Sequence, residues 1–247
     1  INILFFITIN YFLDPKILNI FSNTAQLLSF LVIISFFFIL GRIDDKKDLS
    51  SLLKFFIMTI FLCVSIILDQ ELLIKNLNIL FIDKSLYLGN FSYFFTILCF
   101  LLFINAFNML DGINGQAATY TALIFLIFIF RDIFPIFLSL FTFSLVIYIF
   151  YNLKNLMFLG DCGSLTLGFL ISYICIKAYN RDFILYSDEI YLIMCIPGYE
   201  LLRLFIKRIF LGRNPFKADK NHMHHYLLKK FSLLNTFLIM QILFFSP

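Results

Sequence analysis

Four short polar runs carry the side chains of this sequence that could do chemistry. Residues 105–115 read Asn-Ala-Phe-Asn-Met-Leu-Asp-Gly-Ile-Asn-Gly, so Asn105, Asn108 and Asp111 recur at every third position. If the incoming helix continues through residue 111, these three share one broad face, and Gly112 and Gly115 supply the helix stop. Amides beside a carboxylate suit a sugar or nucleobase, and the carboxylate alone suits a cation; a polar turn between two helices is the plainer alternative. Residues 41–49 hold adjacent Asp44 and Asp45, with Asp48 and two lysines close by. Neighbouring carboxylates resist ionising together without a nearby cation, which suits them to holding Mg²⁺ or tuning a base. A solvated loop beside a membrane span would read the same way. Residues 158–164, Phe-Leu-Gly-Asp-Cys-Gly-Ser, place glycines near Asp161 and put Ser164 where it would cap the next helix. The free N–H groups of such a helix start attract a phosphate, and Asp161 is well placed for Mg²⁺. The simpler reading is an Asp-Gly turn with a serine cap. Residues 219–225 contain all three histidines, His222, His224 and His225, shortly after Arg213. Zinc would need further ligands that no second His or Cys group supplies. Phosphate binding, or titration near neutral pH, fits better.

These runs must be positioned by membrane helices. Hydrophobic residues make up 62% of the 247, with 36 Phe, no Trp and 14% charged, more apolar surface than a soluble core can hide. The expected fold is an all-α polytopic membrane protein. Apolar runs approximating a span cover 24–41, 52–68, 91–109, 117–130, 133–151, 164–178 and 190–206, with partial spans at 1–13 and 232–247, about nine segments in all. The connections then alternate sides. Thirteen Lys and Arg fall on the side holding all four polar runs and six on the other, which makes the first side cytoplasmic by the positive-inside bias. Residues 69–90, on the exterior side, read as a short hairpin around Asp83 and Lys84. Five cysteines without CxxC spacing read as small buried hydrophobes. With no initiator Met and no charged leader, the chain reads as one domain, 1–247, truncated at both ends.

Carboxylates, amides, a phosphate-type helix start and histidines on one side of a membrane indicate metal-assisted reaction of a phosphorylated substrate. The alternative from another class is an ion-coupled transporter, which places charges and broken helices near the bilayer midplane. Only Pro197, Gly198 and Glu200 within 190–206 hint at that.

Taken together in order, the runs resemble the polyprenyl-phosphate N-acetylhexosamine-1-phosphate transferases. The patterns are D-D-x-x-D at Asp44, Asp45 and Asp48, N-x-x-N-x-x-D-G-x-x-G at 105–115, F-x-G-D-x-G-S at 158–164 and H-x-H-H at 222–225. The third acid of the first pattern and the Asp219-Lys220 lead-in resemble the WecA/TagO-like branch more than the MraY type. Asn114 stands where the pattern often has Asp. The resemblance implies transfer of N-acetylhexosamine-1-phosphate, GlcNAc-1-phosphate by preference, from a UDP-sugar to a polyprenyl phosphate such as undecaprenyl phosphate. UMP would be released. It further implies a multi-pass protein of the bacterial inner membrane with cytoplasmic active-site loops. Mg²⁺ is the implied cofactor, with Mn²⁺ as a substitute. No nucleic acid is implied as a partner, and a homodimer is compatible. Carried over residue by residue, Asp161 is the metal ligand, with Asp44, Asp45 and Asn108 as further candidates. Asp44, Asp45, Asp161 and His224 are the expected catalytic residues. Asn105, Asn108, Asp111, Asn152, Phe158, Arg213, His222 and His225 are expected to bind substrate, Phe158 by stacking on uracil.

Overall fold

The computed structural model describes residue 8, residues 19–212 and residues 222–246. Its helices are α1 (Thr24–Lys47), α2 (Ser51–Leu68), α3 (Ser92–Asn108), α4 (Gln116–Phe130), α5 (Pro135–Leu153), α6 (Gly160–Asn180), α7 (Ser187–Phe210), the short α8 (Met223–Leu228) and α9 (Leu233–Phe245). Among the described residues five of these, α1, α2, α3, α5 and α6, are long and apolar enough to cross a membrane, and α4 and α9 are apolar but shorter. The protein is a predominantly helical, multi-pass membrane protein. The segment expected at 1–13 lies outside the described residues apart from position 8.

Helix α6 is the axis of the bundle, buried without a break from Leu167 to Tyr179. It runs antiparallel to α1, and the two meet along one seam. Phe30 packs on Tyr173 with ring centroids 4.9 Å apart, and Phe37 stacks on Phe169 at 4.8 Å. Two glycines set how close the neighbours come. A Cβ on Gly41 of α1 would lie 2.4 Å from the Asp161 carbonyl oxygen of α6, and one on Gly168 would lie 3.1 Å from the Ile104 Cα of α3. Small residues at such crossings let backbones approach in membranes, where apolar burial gives no preference for protein over lipid.

At the end of the seam away from Asp161, Lys177 is fully buried. Its ammonium donates to Gln26 of α1 at 3.0 Å and pairs with the Asp69 carboxylate beyond α2 at 3.0 Å and with Glu71 at 2.9 Å. Tyr173 donates to Asp69, and Arg181 pairs with Glu71 at 2.7 Å. The exterior hairpin expected from residues 69–90 is present: β1 (Asn76–Ile79) pairs antiparallel with β2 (Lys84–Tyr87). After the first strand, residues 80–82 form a 3-10 turn that leads to left-handed Asp83. The Tyr179 hydroxyl pins that strand to α6, accepting from Asn78 N–H and donating to the Asn76 carbonyl.

Two boundaries differ from those expected. Helix α1 runs past residue 41 to Lys47, because Lys46 and Lys47 favour the negative end of the helix and Asp48 closes it at φ 51°. Asp44 and Asp45 therefore ride on a helix rather than in a loop. Helix α6 begins at Gly160, not at 164, so Ser164 is no cap but lies inside the helix, and Asp161 stands in the first turn.

Replacing Lys177 with Met should strand the buried Asp69 carboxylate and cost about 3–5 kcal/mol, seen as a lower thermal midpoint in detergent. Adding Asp69→Leu should recover most of that loss; no recovery would mean that the pair is not what closes this end.

Candidate active site

The α1–α6 seam ends in a cluster of carboxylates. Asp45, one helical turn after Gly41, reaches across the gap that Gly41 opens. Its two carboxylate oxygens accept from the backbone N–H of Asp161 at 2.8 Å and of Cys162 at 3.1 Å. The helix start expected to attract phosphate thus already holds an anion from the same chain, which corrects the expectation of free N–H groups there. Asp44 is buried and turned elsewhere. It accepts from Leu49 N–H at 2.9 Å and forms an ion pair with Lys54 of α2, which also reaches Asp161 at 3.4 Å. Lys54 is a site residue that the polar runs did not reveal, since it sits alone four positions into an apolar helix. Its only sequence signal is a cation inside an otherwise uncharged span.

Helix α3 stops at Asn108, so Asp111 lies in the turn after it rather than on its face. Asn108 still meets α6, its amide oxygen accepting the Ser164 hydroxyl. Asn105 turns back to donate to the Leu101 carbonyl at 2.7 Å. Asp111 is half-buried, and its carboxyl is pushed up to about 7 by burial and by the charges of Asp161 and Asp45, against a stabilising N–H from Gly160. Asp44, Asp45, Asp111 and Asp161 thereby lie near one another at this end of the seam.

The neighbouring connections are tied together by amides. Asn152 is buried, its side chain donating to the Met157 carbonyl at 2.5 Å and accepting from the N–H of Gly115. Both ends of that amide serve backbone, so it joins two loops. Asn114 donates to Asn155 at 2.6 Å across the same gap. Gly115 turns at φ 81°, which an L side chain rarely adopts. Phe158 stands exposed beside these loops.

The histidines close the opposite wall. His224 is buried with its ring against Gly112, where an added Cβ would lie 2.0 Å from the imidazole. His222 and His225 have ring centroids 5.5 and 4.1 Å from it. Burial first, then the neighbouring His225 and His222, pull His224 down to about 4, which favours its neutral form. Buried Glu200 of α7 anchors this segment. It accepts from Met223 N–H at 2.7 Å and pairs with Arg203 at 2.7 Å. Glu200 is thus a second site residue that the motifs missed, and its role is to hold the start of α8 rather than to line a transport path. Arg213 lies outside the described residues.

Beside Lys54 opens a cavity of about 330 Å³ between α2, α3 and α7. Lys54, Asn105, Asn108, Arg208 and His222 line its polar end; Phe55, Leu98, Leu101, Leu102 and Phe205 line the rest. A second cavity of about 430 Å³ lies at the hairpin end, near Glu71 and Asn180. There Asn180 donates to backbone carbonyls and Tyr179 is spent on the hairpin, so it reads as structural. The first is the cavity next to the reactive groups.

The cluster presents oxygen ligands, which suit a hard divalent cation. Among the described residues, no three His, Cys, Asp or Glu side chains stand close enough to share one ion. One or two carboxylates, completed by phosphate oxygens and water, is the arrangement Mg²⁺ usually adopts.

The sequence profile of glycosyl transferase family 4 matches residues 27–179. The chain is similar to the undecaprenyl-phosphate alpha-N-acetylglucosaminyl 1-phosphate transferase of Escherichia coli strain K12, with 29% identity over 206 residues, 77% of this chain and 55% of the relative. It is 31% identical over 200 residues to a probable undecaprenyl-phosphate N-acetylglucosaminyl 1-phosphate transferase of Bacillus subtilis strain 168, 77% of this chain and 55% of that one. The chain spans about half the length of the curated relatives it matches.

Because His224 holds its proton less tightly when folded than its ordinary 6.5, the unfolded segment takes up the proton first as pH falls. The segment at 222–228 should be stable above about 6.5 and lose protection from hydrogen exchange as pH drops from there towards 4. His224→Phe should remove that dependence; an unchanged pH profile in the variant would refute it.

Proposed function

The chain belongs to glycosyl transferase family 4, and from that membership we propose that the full-length protein transfers N-acetylhexosamine-1-phosphate, most simply GlcNAc-1-phosphate, from a UDP-sugar to undecaprenyl phosphate. The observation that carries this reading is the cavity between α2, α3 and α7. It joins a cationic and amide end to an apolar channel in one membrane-embedded space. That is the shape of an acceptor with a phosphate head and an isoprenoid tail.

An acceptor phosphate oxygen attacks the β-phosphorus of the UDP-sugar, the diphosphate P–O bond breaks, and UMP carries away the electron pair. Lys54 and Arg208, at the mouth of the channel, hold the acceptor phosphate, and Asp44 fixes Lys54 in place. Asp161 faces the reacting phosphates. A divalent cation, Mg²⁺ by its preference for oxygen ligands, polarises phosphoryl oxygens when bound, and Asp161 is the carboxylate best placed to hold it. Asp111 and Asn108 bind uridine or ribose, Phe158 stacks on uracil, and His222 with His225 contacts phosphate or the sugar. Two anionic reactants must be held in line in a site that cancels their charge, so positioning and electrostatics supply the rate.

The reading includes about nine membrane segments in the chain, an inner-membrane location, and the Asp161 end of the bundle facing the cytoplasm, where the basic residues accumulate. A homodimer is compatible with this reading. The transport alternative gains no support: the described carboxylates discussed above sit at the two ends of the bundle, and Glu200 is paired with Arg203.

The test is a radiolabel assay of the full-length protein offering UDP-GlcNAc and UDP-GalNAc with undecaprenyl phosphate, with and without Mg²⁺. UMP release should depend on the cation and fall about a hundredfold or more in Asp161→Asn. Near-normal magnesium-dependent release in that variant would remove Asp161 from its role.

A further inference from the structure

We propose that Asp45 is a positioning residue: it is the N-terminal cap of α6, delivered from α1, and it acts by fixing where the Asp161 carboxylate stands. A helix leaves its first N–H groups without partners, and a local Ser, Thr, Asn or Asp usually accepts from the second or third of them. Here the residue in the capping position is Leu159, whose side chain accepts nothing. The N–H groups of Asp161 and Cys162, second and third in α6, instead both go to the Asp45 carboxylate. One oxygen serves each, so the cap is bidentate. A carboxylate is also the favoured charge at this end of a helix.

The surrounding backbone is cut to make this contact. Gly160 sits at φ 59°, and a Cβ there would lie 2.9 Å from both Asp45 oxygens. Gly41, four residues before Asp45 on the same face of α1, lets α1 come against the Asp161 carbonyl. Asp44, although adjacent in sequence, faces Lys54. The pair of acids therefore divides its work: Asp44 sets the lysine, and Asp45 sets the helix that carries Asp161. Asp45 is then neither the base nor a metal ligand, two roles the family resemblance left open to it.

The inference leans on the transferase reading only for its activity measurement. The experiment compares full-length Asp45→Asn, Asp45→Leu, Gly160→Ala and the Gly160→Ala/Asp45→Leu pair. The first measurement is UMP release across pH; the second is the alkylation rate of Cys162 by N-ethylmaleimide, read on its peptide by mass spectrometry. Asn keeps an oxygen for the cap, so its kcat should stay within about tenfold of the parent, with an unchanged pH profile. Leu removes the cap, and kcat should fall about a hundredfold or more, with Cys162 alkylated several-fold faster. Gly160→Ala should act in the same direction, and the double variant should be no worse than Asp45→Leu alone, as for two changes to one contact. Two results would overturn the proposal. One is Asp45→Asn as inactive as Asp45→Leu with a limb of the pH profile lost; the other is Cys162 reactivity unaffected by Asp45→Leu. A parent protein without UMP release would defeat the transferase reading alone, since the alkylation comparison still decides the cap. If Asp45→Leu is not recovered from membranes, Asp45→Asn and Gly160→Ala carry the same two comparisons.

Discussion

The molecule depends on one constraint: each charge that α6 carries into an apolar bundle must be met by a group of another segment at the same depth. A polar group left unpaired in hydrocarbon costs several kcal/mol. At one end of α6, Lys177 is met by Gln26, Asp69 and Glu71. At the other, the positive start of the helix is met by Asp45 and the Asp161 carboxylate by Lys54. Between them the α1–α6 seam carries the ring contacts of Phe30 with Tyr173 and of Phe37 with Phe169. The two polar ends thus set the register of α1 on α6, because sliding one helix by a turn would unpair both ends at once. The aromatic contacts can then pack tightly without having to specify the alignment themselves.

The same constraint explains how four carboxylates coexist at the Asp161 end. Two unit charges about 4 Å apart interact by about 4 kcal/mol at an effective dielectric of 20, so an unrelieved cluster would be strongly self-repelling. Each acid is relieved differently. Asp44 has Lys54, Asp45 has two backbone N–H groups, and Asp161 shares Lys54. Asp111 has an N–H from Gly160 against burial and two like charges, which push its carboxyl up to about 7. The environment thus separates the roles of residues that the sequence presents as equivalent.

Much of this was legible beforehand, and the gaps have physical causes. Residue types and order identified the acids, the amide run and the histidines, because these polar groups stand out against Phe-rich helices. Helix ends were less legible. A hydropathy boundary at residue 41 marks where apolar residues stop, whereas the backbone hydrogen bonds of α1 continue to Lys47. Likewise Ser164 looked like a cap because the run before it is polar, but its hydroxyl goes to Asn108 instead. Contacts between distant segments left no local mark at all. Asp45 caps a helix 116 residues away in sequence, and Glu200, which resembled a transporter's intramembrane acid, turns out to hold the N–H of Met223. Local pattern shows which groups are present; only the seam shows which of them are already engaged.

On the transferase reading, that engagement governs binding as well as structure. Lys54 lines the channel mouth while paired with Asp44 and Asp161, so an acceptor phosphate arriving there meets a lysine whose charge is partly spent. Beyond it stand carboxylates that repel a second anion. Arg208 supplies further positive charge at that mouth, and a divalent cation held in the cluster would bind more tightly when the reactants are present. That reciprocity is thermodynamic and independent of the order of events. Such linkage would make a bound cation and the phosphorylated reactants favour one another at this site.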